Sequence, residues 1–508
     1  MAAESQTKDA AHKGDIVNLL ILVCVASALG ICLIATTVLI SKDGVTYIEL
    51  AQRFSSEPLN VVKGLTLGYP FLIFAAHKLA AAFGADSSAL AWAYSAQSVS
   101  LLCSVLSLIP LYFIGKLLVG GGKSFWAVLI LVILPYPAQF ASDALRDWPH
   151  ILFLAAGFLL LLWGAERSKW WMFAAAGLAA GIGHIIRPEC AQVVVYGVLW
   201  LFVRLVVPRG NMNRPALLGA LAALLLGFAI PAVPYMAARG QILPEKLKEY
   251  IHAQAWPQSQ SIHDVRIDGG RPTWTAATLP GDTVKAVGKL AGEMSDNLMY
   301  YFAPALVLGV CARARRRSAV SDIERFFIPA FVLLNVLMMI MLYHHWGYIS
   351  RRHCLPLVVL LIFYVPEGLE ILAQWVEQRL SGGRTERCGL SQRWFFVLLA
   401  VGVGICMPKL LRPLGADKRG YREAAEWLKE NARQEDVVAV PDLRLSLYAE
   451  RKGTAYETEI PQGTEYVVRI VKDQDEEALA NGTGRKVFSA RVEKRKKNEK
   501  RVVIYRMT

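Results

Sequence analysis

The chain has 508 residues, of which 55% are hydrophobic and 19% are charged, and its apolar residues occur in long blocks. That distribution is typical of a polytopic membrane protein and excludes a soluble globular enzyme. The formal net charge of +14 does not indicate nucleic-acid binding, because membrane proteins concentrate Lys and Arg in their cytoplasmic loops. Eight cysteines, all but Cys388 within or beside apolar blocks, give neither a disulfide framework nor a metal-ligand spacing.

The apolar blocks predict eleven transmembrane helices, and the first is a retained signal anchor because it is too long for a signal-peptide core. A twelfth candidate at 67–84 carries His77 and Lys78 in its middle, where lipid strongly disfavours them. We expect that segment to lie at the membrane interface. The predicted spans cover about 16–40, 92–118, 124–140, 148–164, 169–186, 190–207, 215–237, 298–312, 325–343, 354–376 and 394–411.

The charges of the short loops predict the orientation. With a cytoplasmic N-terminus, the short inner loops carry fifteen Lys and Arg residues and the short outer loops carry only four, namely Arg146, Arg187, Arg351 and Arg352. The positive-inside rule favours this arrangement. It predicts a multi-pass protein of the bacterial inner membrane in which residues 41–91, 141–147, 238–297 and 413–508 lie outside.

Acidic side chains accompany these outer arginines. Asp43, Asp143, Asp147 and Glu189 lie in the same outer segments or beside them. Together the two sets predict one polar site that faces away from the cytoplasm and suits an anionic, lipid-linked substrate. The alternative for each arginine is a structural one, because interfacial arginines extend their guanidinium groups to lipid phosphates.

The segment "SKDGVTYIELAQRF" at 41–54 follows the first span directly. After Asp43, its apolar residues recur at helical spacing, which predicts a short amphipathic helix. Asp43 is therefore a candidate for chemistry or for a helix cap, since an acidic residue at that place satisfies free backbone amides.

Residues 413–508 differ from the rest of the chain. They contain two amphipathic helical patterns and four short strand patterns, "DVVAV", "EYVVRIV", "KVFSARV" and "RVVIYRM", which predict a small periplasmic α/β domain. The basic tail "RVEKRKKNEKR" is expected to be the solvated face of a hairpin, with contact to anionic headgroups as the weaker alternative. The membrane domain then covers 1–412, with large outer loops at 41–91 and 238–297.

A series of short motifs runs along the chain in a recognisable order. It comprises "DGVTYIELA" after the first span, "GYP" opening the interfacial segment, "LPYPAQFASDALRDW", "GHIIRPE", "YISRRHCLP" and "EAAEWLKEN". This order resembles the GT-C superfamily of membrane glycosyltransferases, in particular the bacterial dolichyl-phosphate-mannose-mannosyltransferase-like and aminoarabinose-transferase-like branch. The likeness covers nearly the whole chain, although each motif is short.

The resemblance implies inverting transfer of a sugar from a polyprenyl-phosphate donor to a lipid, glycan or protein acceptor outside the membrane. Asp43 is then the catalytic base, and outer cations hold the donor phosphate. Membrane lipids are the other expected partners, and no cofactor is required. The predicted substrate-binding residues are Tyr47, Lys63, Tyr69, Asp143, Arg146, Asp147, His184, Arg187, Glu189, Arg351, Arg352 and His353.

The charged residues of these motifs have alternative interpretations. Many relatives have a second acid directly after the first, and Gly44 stands there in this chain, which weakens the case for a metal site at that loop. Asp143 and Asp147, four residues apart, are expected on one helical face, either binding a divalent cation or pairing with Arg146. Arg187 and Glu189 form either a structural pair or a substrate contact, and the histidines of "YHHWGYISRRH" are a weak zinc candidate.

Two other functions share some of these features. A transporter or flippase of lipid-linked sugars also needs an apolar groove and outer cations, but it usually shows internal repeats, which this sequence lacks. An O-antigen polymerase or ligase performs similar chemistry without an early acid after the first span.

Overall fold

The computed structural model describes residues 2–63, 67–207, 212–240, 279–316, 321–380, 390–456, 459–472, 484–493 and 500–507. Within these ranges the chain is helical up to residue 410, and its strands occur after residue 436. The helices are α1 (Ala2–Ala35), α2 (Lys42–Arg53), α3 (Pro58–Lys63), α4 (Gly68–Ala82), α5 (Ala89–Val119), α6 (Gly121–Ile133), α7 (Pro135–Ala141), α8 (Asp147–Arg167), α9 (Trp170–Ile186), α10 (Gln192–Val206), α11 (Arg214–Arg239), α12 (Leu279–Asn297), α13 (Phe302–Arg315), α14 (Asp322–Trp346), α15 (Leu355–Leu361), α16 (Val365–Leu380), α17 (Leu390–Leu410), α18 (Arg419–Asn431) and α19 (Leu443–Ala449).

The described helices include eight that are long and apolar enough to cross a membrane, or up to ten spans if each of two bent pairs counts as one. The predicted polytopic helical fold is thereby confirmed. The predicted spans 124–140 and 298–312 belong to the bent pairs, α6 with α7 at 71° and α12 with α13 at 111°. The predicted span 169–186 is α9, which at 17 residues is at the short limit for crossing a bilayer.

A proline causes the first of these bends. Leu134, at the end of α6, has an extended backbone, and Pro135 opens α7. The residue before a proline is disfavoured in helical conformation, so the chain turns between the two helices. The turn brings the loop after α7 beside Ser41, at the start of α2.

Helices α9 and α11 cross with their backbones in close contact. A Cβ atom added to Gly177 would lie 2.1 Å from the carbonyl oxygen of Leu224, and one added to Gly227 would lie 2.2 Å from the carbonyl oxygen of Ala174. Small residues permit this approach in membrane helices. The crossing fixes α9, whose C-terminal end leads directly to Arg187.

The first span ends earlier than predicted. Helix α1 stops at Ala35, and the chain runs without helix to Ser41, the N-cap residue of α2. In this stretch the amide of Val38 donates to the carbonyl of Leu414 at 2.9 Å. The connection to α2 therefore packs beside the end of the last apolar helix, α17.

The C-terminal residues form a five-stranded mixed sheet, as predicted for an α/β region. Strand order is β2-β1-β3-β5-β4, with β1 parallel to β2 and β3, and β5 antiparallel to β3 and β4. Strand β2 was not predicted, because "KGTA" lacks the apolar alternation that marks a half-buried strand. The strands are β1 (Val437–Val440), β2 (Lys452–Ala455), β3 (Tyr466–Lys472), β4 (Arg485–Glu493) and β5 (Lys500–Arg506).

This α/β region packs firmly on the helical part. Buried residues of both parts, among them Leu445 and Tyr421 on one side and Tyr47 and Ala144 on the other, belong to one contiguous apolar core. Helix α19 contacts α2 and α5. The segments on either side of Asp43 are thus held between the membrane helices and the C-terminal region.

Candidate active site

Asp43 is not the cap of the helix that it opens. The N-cap of α2 is Ser41, whose Oγ accepts a hydrogen bond from the amide of Gly44 at 3.3 Å. Asp43 lies in the first turn, where negative charge is favourable, and its side chain is 51% exposed. The capping alternative is therefore wrong, and the carboxylate is available for other contacts.

Gly44 allows α2 to contact the loop between α7 and α8. A Cβ added to this residue would lie 2.7 Å from the Cβ of Ala144 and 3.0 Å from its carbonyl oxygen. Ser41 Oγ also donates to that carbonyl at 3.3 Å. A side chain at this position would collide with Ala144 unless the backbone moved, which is a physical reason for glycine here.

Asp143 also strengthens the contact between the start of α2 and the loop between α7 and α8. Its Oδ1 accepts hydrogen bonds from the amides of Ser41, at 2.9 Å, and Ala144, at 2.7 Å. Burial raises the pKa of Asp143 above its ordinary value, although the two backbone hydrogen bonds oppose that rise. The expectation that Asp143 and Asp147 share a helical face is wrong, because residues 142–146 are not helical and α8 begins only at Asp147.

Five side chains from distant segments form one chain of ion pairs, which we call the ion network: Asp43, Arg352, Asp147, Arg187 and Glu189. Arg352 donates from Nη1 to Asp43 Oδ2 at 2.8 Å and from Nε to Asp147 Oδ2 at 3.0 Å. Arg187 donates from Nη1 to Asp147 Oδ1 at 2.7 Å and from Nε to Glu189 Oε1 at 3.1 Å. Asp147 is thus the shared centre of two charge-assisted contacts.

Burial differs sharply along the ion network. The side chain of Asp147 is only 1% exposed, whereas those of Asp43 and Glu189, at its two ends, are 51% and 40% exposed. Burial lowers the pKa of Arg352, but the carboxylates of Asp147 and Asp43 outweigh it and hold that pKa above its usual range. The guanidinium therefore stays charged. The buried Asp147 holds it on one side, and the exposed Asp43 contacts it on the other.

Aromatic residues support this site from the side of α4. The ring of Tyr47 contacts the ring of Tyr69 edge-on, with 5.2 Å between centroids, and the guanidinium of Arg146 lies 5.8 Å from the Tyr47 centroid. The Tyr69 hydroxyl is buried, donates to the carbonyl of Ala96 at 3.0 Å and lies 2.8 Å from Ser100 Oγ. Tyr69 thus connects Tyr47 to the backbone of α5 at Ala96.

The remaining predicted residues lie around the ion network or apart from it. His184 Nδ1 lies 3.3 Å from the carbonyl of Pro188, next to Arg187 in the chain. His353 Nδ1 lies 3.2 Å from Ser350 Oγ. Helix α3 ends at Lys63, whose side chain lies outside the described residues, as does most of the predicted outer loop 238–297.

Arg351 belongs to a second polar cluster that the sequence did not indicate. Its Nη1 donates to Asp296 Oδ2 at 3.1 Å, and its guanidinium lies 4.2 Å from the ring centroid of Tyr136. Lys409 donates to the Tyr136 hydroxyl. Neighbouring arginines of one motif therefore face different partners, and only Arg352 meets Asp43.

His150 is a further residue that the motifs did not single out. It lies one turn after Asp147 on α8 and is 2% exposed. Neither ring nitrogen has a hydrogen-bonding partner within the described ranges. A buried histidine in a membrane helix carries no signal in the sequence beyond its polarity, which explains why it was missed.

Metal ligands are not grouped in the part of the chain that the structure describes: no three His, Cys, Asp or Glu side chains lie together as a candidate site. Within the ion network, two arginines separate the three carboxylates. The arrangement can bind an anion through its guanidinium groups and can offer a carboxylate to a proton donor.

Comparison with known proteins identifies the fold. Residues 71–234 match the model of the dolichyl-phosphate-mannose-protein mannosyltransferase family, and this stretch includes Asp147, Arg187 and Glu189. The chain has the GT-C fold of membrane glycosyltransferases. The predicted resemblance and the predicted enzyme class, a glycosyltransferase, are thereby confirmed. No curated protein sequence gives a significant match.

Three solved structures of the GT-C fold are similar over most of the chain. ArnT from Cupriavidus metallidurans bound to undecaprenyl phosphate has a TM-score of 0.56 at 14% identity and covers 96% of this chain and 97% of its own. The same enzyme in the apo state has a TM-score of 0.53 at 14% identity, with 97% and 98% covered. The oligosaccharyltransferase AglB from Archaeoglobus fulgidus, in complex with an inhibitory peptide and a dolichol-phosphate, has a TM-score of 0.53 at 12% identity, with 89% and 69% covered.

Proposed function

We propose that this protein transfers a sugar from a polyprenyl-phosphate donor to an acceptor nucleophile on the outer side of the membrane, with inversion at the anomeric carbon. The matched mannosyltransferase family supports this proposal. So do the polyprenyl phosphates bound by the similar structures, undecaprenyl phosphate in ArnT and dolichol-phosphate in AglB.

The observation that carries the proposal is the contact between Asp43 and Arg352. These residues are 309 positions apart in the chain, yet their side chains meet at 2.8 Å. Arg352 is also bound to the buried Asp147. A donor phosphate therefore competes with Asp43, the exposed partner, for the outer N–H groups of Arg352, while Asp147 keeps the guanidinium in place.

This exchange of partners at Arg352 both binds the donor phosphate and frees the base. Once Arg352 donates to the phosphate, the carboxylate of Asp43 is released to accept the acceptor's proton. The acceptor oxygen then attacks the anomeric carbon from the face opposite the phosphate, and the bond from that carbon to the phosphate oxygen breaks. The phosphate leaves with the bonding electrons, and the proton passes to Asp43.

Arg187 is the second cation of the proposed phosphate site. It is held by Asp147 and Glu189 at 2.7 and 3.1 Å, so its position does not depend on the donor. Fixed cations stabilise the negative charge that grows on a leaving phosphate without reorganisation during the reaction. The inner-membrane location and the outward orientation rest on the surplus of Lys and Arg in the opposite loops.

The test is transfer from defined donors by the purified protein in lipid nanodiscs. Asp43→Asn should retain folding and donor binding but lose turnover of undecaprenyl-phosphate-linked sugars by about 100-fold or more, within the range expected for a lost general base. Asp86→Asn, at another exposed outer-loop acid, is the matched control. Near-normal turnover by Asp43→Asn would refute the assignment of the base, and movement of the donor across the bilayer without transfer would support a flippase instead.

A further inference from the structure

A polar cavity lies between α2 and the C-terminal region, apart from the ion network. Its volume is about 430 Å³, within the range of small-ligand sites. Three segments line it: the last two turns of α2, the residues that open α5, and the turn from α19 into β2. Nothing in the proposed transfer reaction uses these side chains.

The walls of the cavity are held by hydrogen bonds and an ion pair, both between lining segments and to α18 behind them. Glu450 accepts the amide of Ala89 at 3.1 Å and pairs with Lys429 at 2.9 Å. Arg451 directs its guanidinium into the wall, donating to backbone carbonyls that include those of Lys429 and Ala432, both at 2.8 Å. The cavity is therefore formed before any ligand enters, which lowers the cost of binding.

The side chains that face the cavity form a mixed set of donors and acceptors. Glu49 accepts, Arg53 and Lys452 donate, and Gln52 and Ser87 can do both. With the wall residues included, the lining has two carboxylates and three cations, so the charges nearly balance. Such a lining has nearly balanced charge and only a minor apolar part, at Ala89 and Leu447, so it suits hydroxyl groups, each of which both donates and accepts, better than an anion or a prenyl chain.

We propose that this cavity binds a neutral, hydroxyl-rich segment of the acceptor, which makes the acceptor a glycan. The inference rests on the proposed transferase function. Its geometric basis is that α2 presents Asp43 to the ion network in its first turn and Glu49, Gln52 and Arg53 to the cavity in its last two turns.

The length of α2 sets the size of the acceptor. Asp43 and Arg53 are ten residues apart, which corresponds to about 15 Å along a helix. An acceptor with its reactive hydroxyl at Asp43 and its distal part in the cavity is therefore longer than one sugar ring. The site selects an oligosaccharide over a monosaccharide.

The experiment uses neutral gluco- and manno-oligosaccharides, from mono- to hexasaccharide, with the full-length protein in nanodiscs and saturation-transfer NMR as readout. We expect the longer sugars to bind and the monosaccharides to bind at least about tenfold more weakly, a difference of about 1.4 kcal/mol. Ser87→Trp, which fills the cavity, and Glu49→Ala, which removes an acceptor, should each weaken binding by about tenfold or more. Ser55→Trp, exposed in the turn after α2 and outside the cavity lining, should bind like wild type.

The outcomes separate this inference from the proposed function. Unchanged binding in both Ser87→Trp and Glu49→Ala, or no binding of any neutral oligosaccharide, would overturn the inference. Thermal stabilisation by undecaprenyl phosphate, measured in parallel, should persist in Ser87→Trp because the ion network is untouched, and it also shows that the variant is folded. A third outcome is that Ser87→Trp loses oligosaccharide binding while the wild-type protein never turns over a polyprenyl-phosphate sugar. That outcome would support the glycan site and refute the proposed transferase function.

Discussion

Adding one methyl group at Gly44 should impair both catalysis and stability. In Gly44→Ala the new Cβ would lie 2.7 Å from the Cβ of Ala144, whereas carbon atoms prefer about 3.5–4.0 Å. The start of α2 must therefore move away by about 1 Å. Overpacking of this kind typically costs about 1–3 kcal/mol of stability. Because Asp43 is the adjacent residue, a shift of about 1 Å should reduce turnover by about 100-fold.

The assay compares turnover of an undecaprenyl-phosphate-linked sugar with thermal unfolding in the same nanodisc preparations. Gly122→Ala is the matched control, because no atom lies within 4 Å of a Cβ placed there. Ala144→Gly combined with Gly44→Ala removes the methyl group at 2.7 Å but leaves the carbonyl oxygen at 3.0 Å, so the double variant should recover part of the lost turnover. Wild-type turnover in Gly44→Ala, or no recovery in the double variant, would refute the steric argument.

Three further predictions concern the charged residues of the site and its surroundings. Arg352→Ala should raise the KM for the donor and lower the free energy of unfolding by up to about 3–5 kcal/mol, because it leaves the buried Asp147 with one cation fewer; an unchanged KM would contradict the phosphate role. Asp143→Asn should retain activity because its Oδ1 still accepts two backbone amides, whereas Asp143→Ala should lose activity, and equal turnover in the two variants would show that these hydrogen bonds do not position α2. Burial alone would raise the pKa of Asp442, but Arg444 outweighs burial and holds that pKa below its usual range. The stabilisation from this ion pair is present above about pH 4 and is lost as the pH falls through the lowered pKa. The thermal unfolding temperature of Asp442→Asn should therefore depend less on acid than that of the wild type.

Local patterns predicted most of the helices and selected two members of the ion network that lie far apart in the chain. Asp43 after the first span and Arg352 in "YISRRHCLP" were selected by their motifs, and the structure brings them together. The patterns failed where a contact depends on distant packing. The roles of Asp143 and Asp147 were misjudged because the bend at Pro135 and the non-helical residues 142–146 are not visible as a break in hydrophobic periodicity.

Other features could not be found in the sequence for a different reason. The cluster around Arg351 uses Asp296 and Tyr136, which come from segments with no shared motif. The polar cavity exists only because the turn from α19 into β2 lies against α2, and β2 itself has no strand pattern. Such sites follow from tertiary packing between elements that are from 55 to several hundred residues apart, so single-segment patterns carry no information about them.

The position of Asp43 depends on both parts of the chain. On one side, the loop at 142–147 binds Ser41 through Asp143. On the other side, the C-terminal region contacts Ile40. Arg444 donates to the carbonyl of Ile40 at 3.2 Å, and the amide of Ile40 donates to the hydroxyl of Tyr448 at 3.4 Å.

Hydrogen bonds from the two regions thus hold two consecutive residues, Ile40 and Ser41, and only Lys42 separates them from the proposed base. The predicted boundary at residue 412 separates the chain by composition, but the contacts at Ile40 cross it. The α/β region therefore helps to hold the segment that leads to Asp43 and is not an independent appended module. Its contact with α2 links the proposed glycan cavity to the carboxylate that the transfer reaction requires.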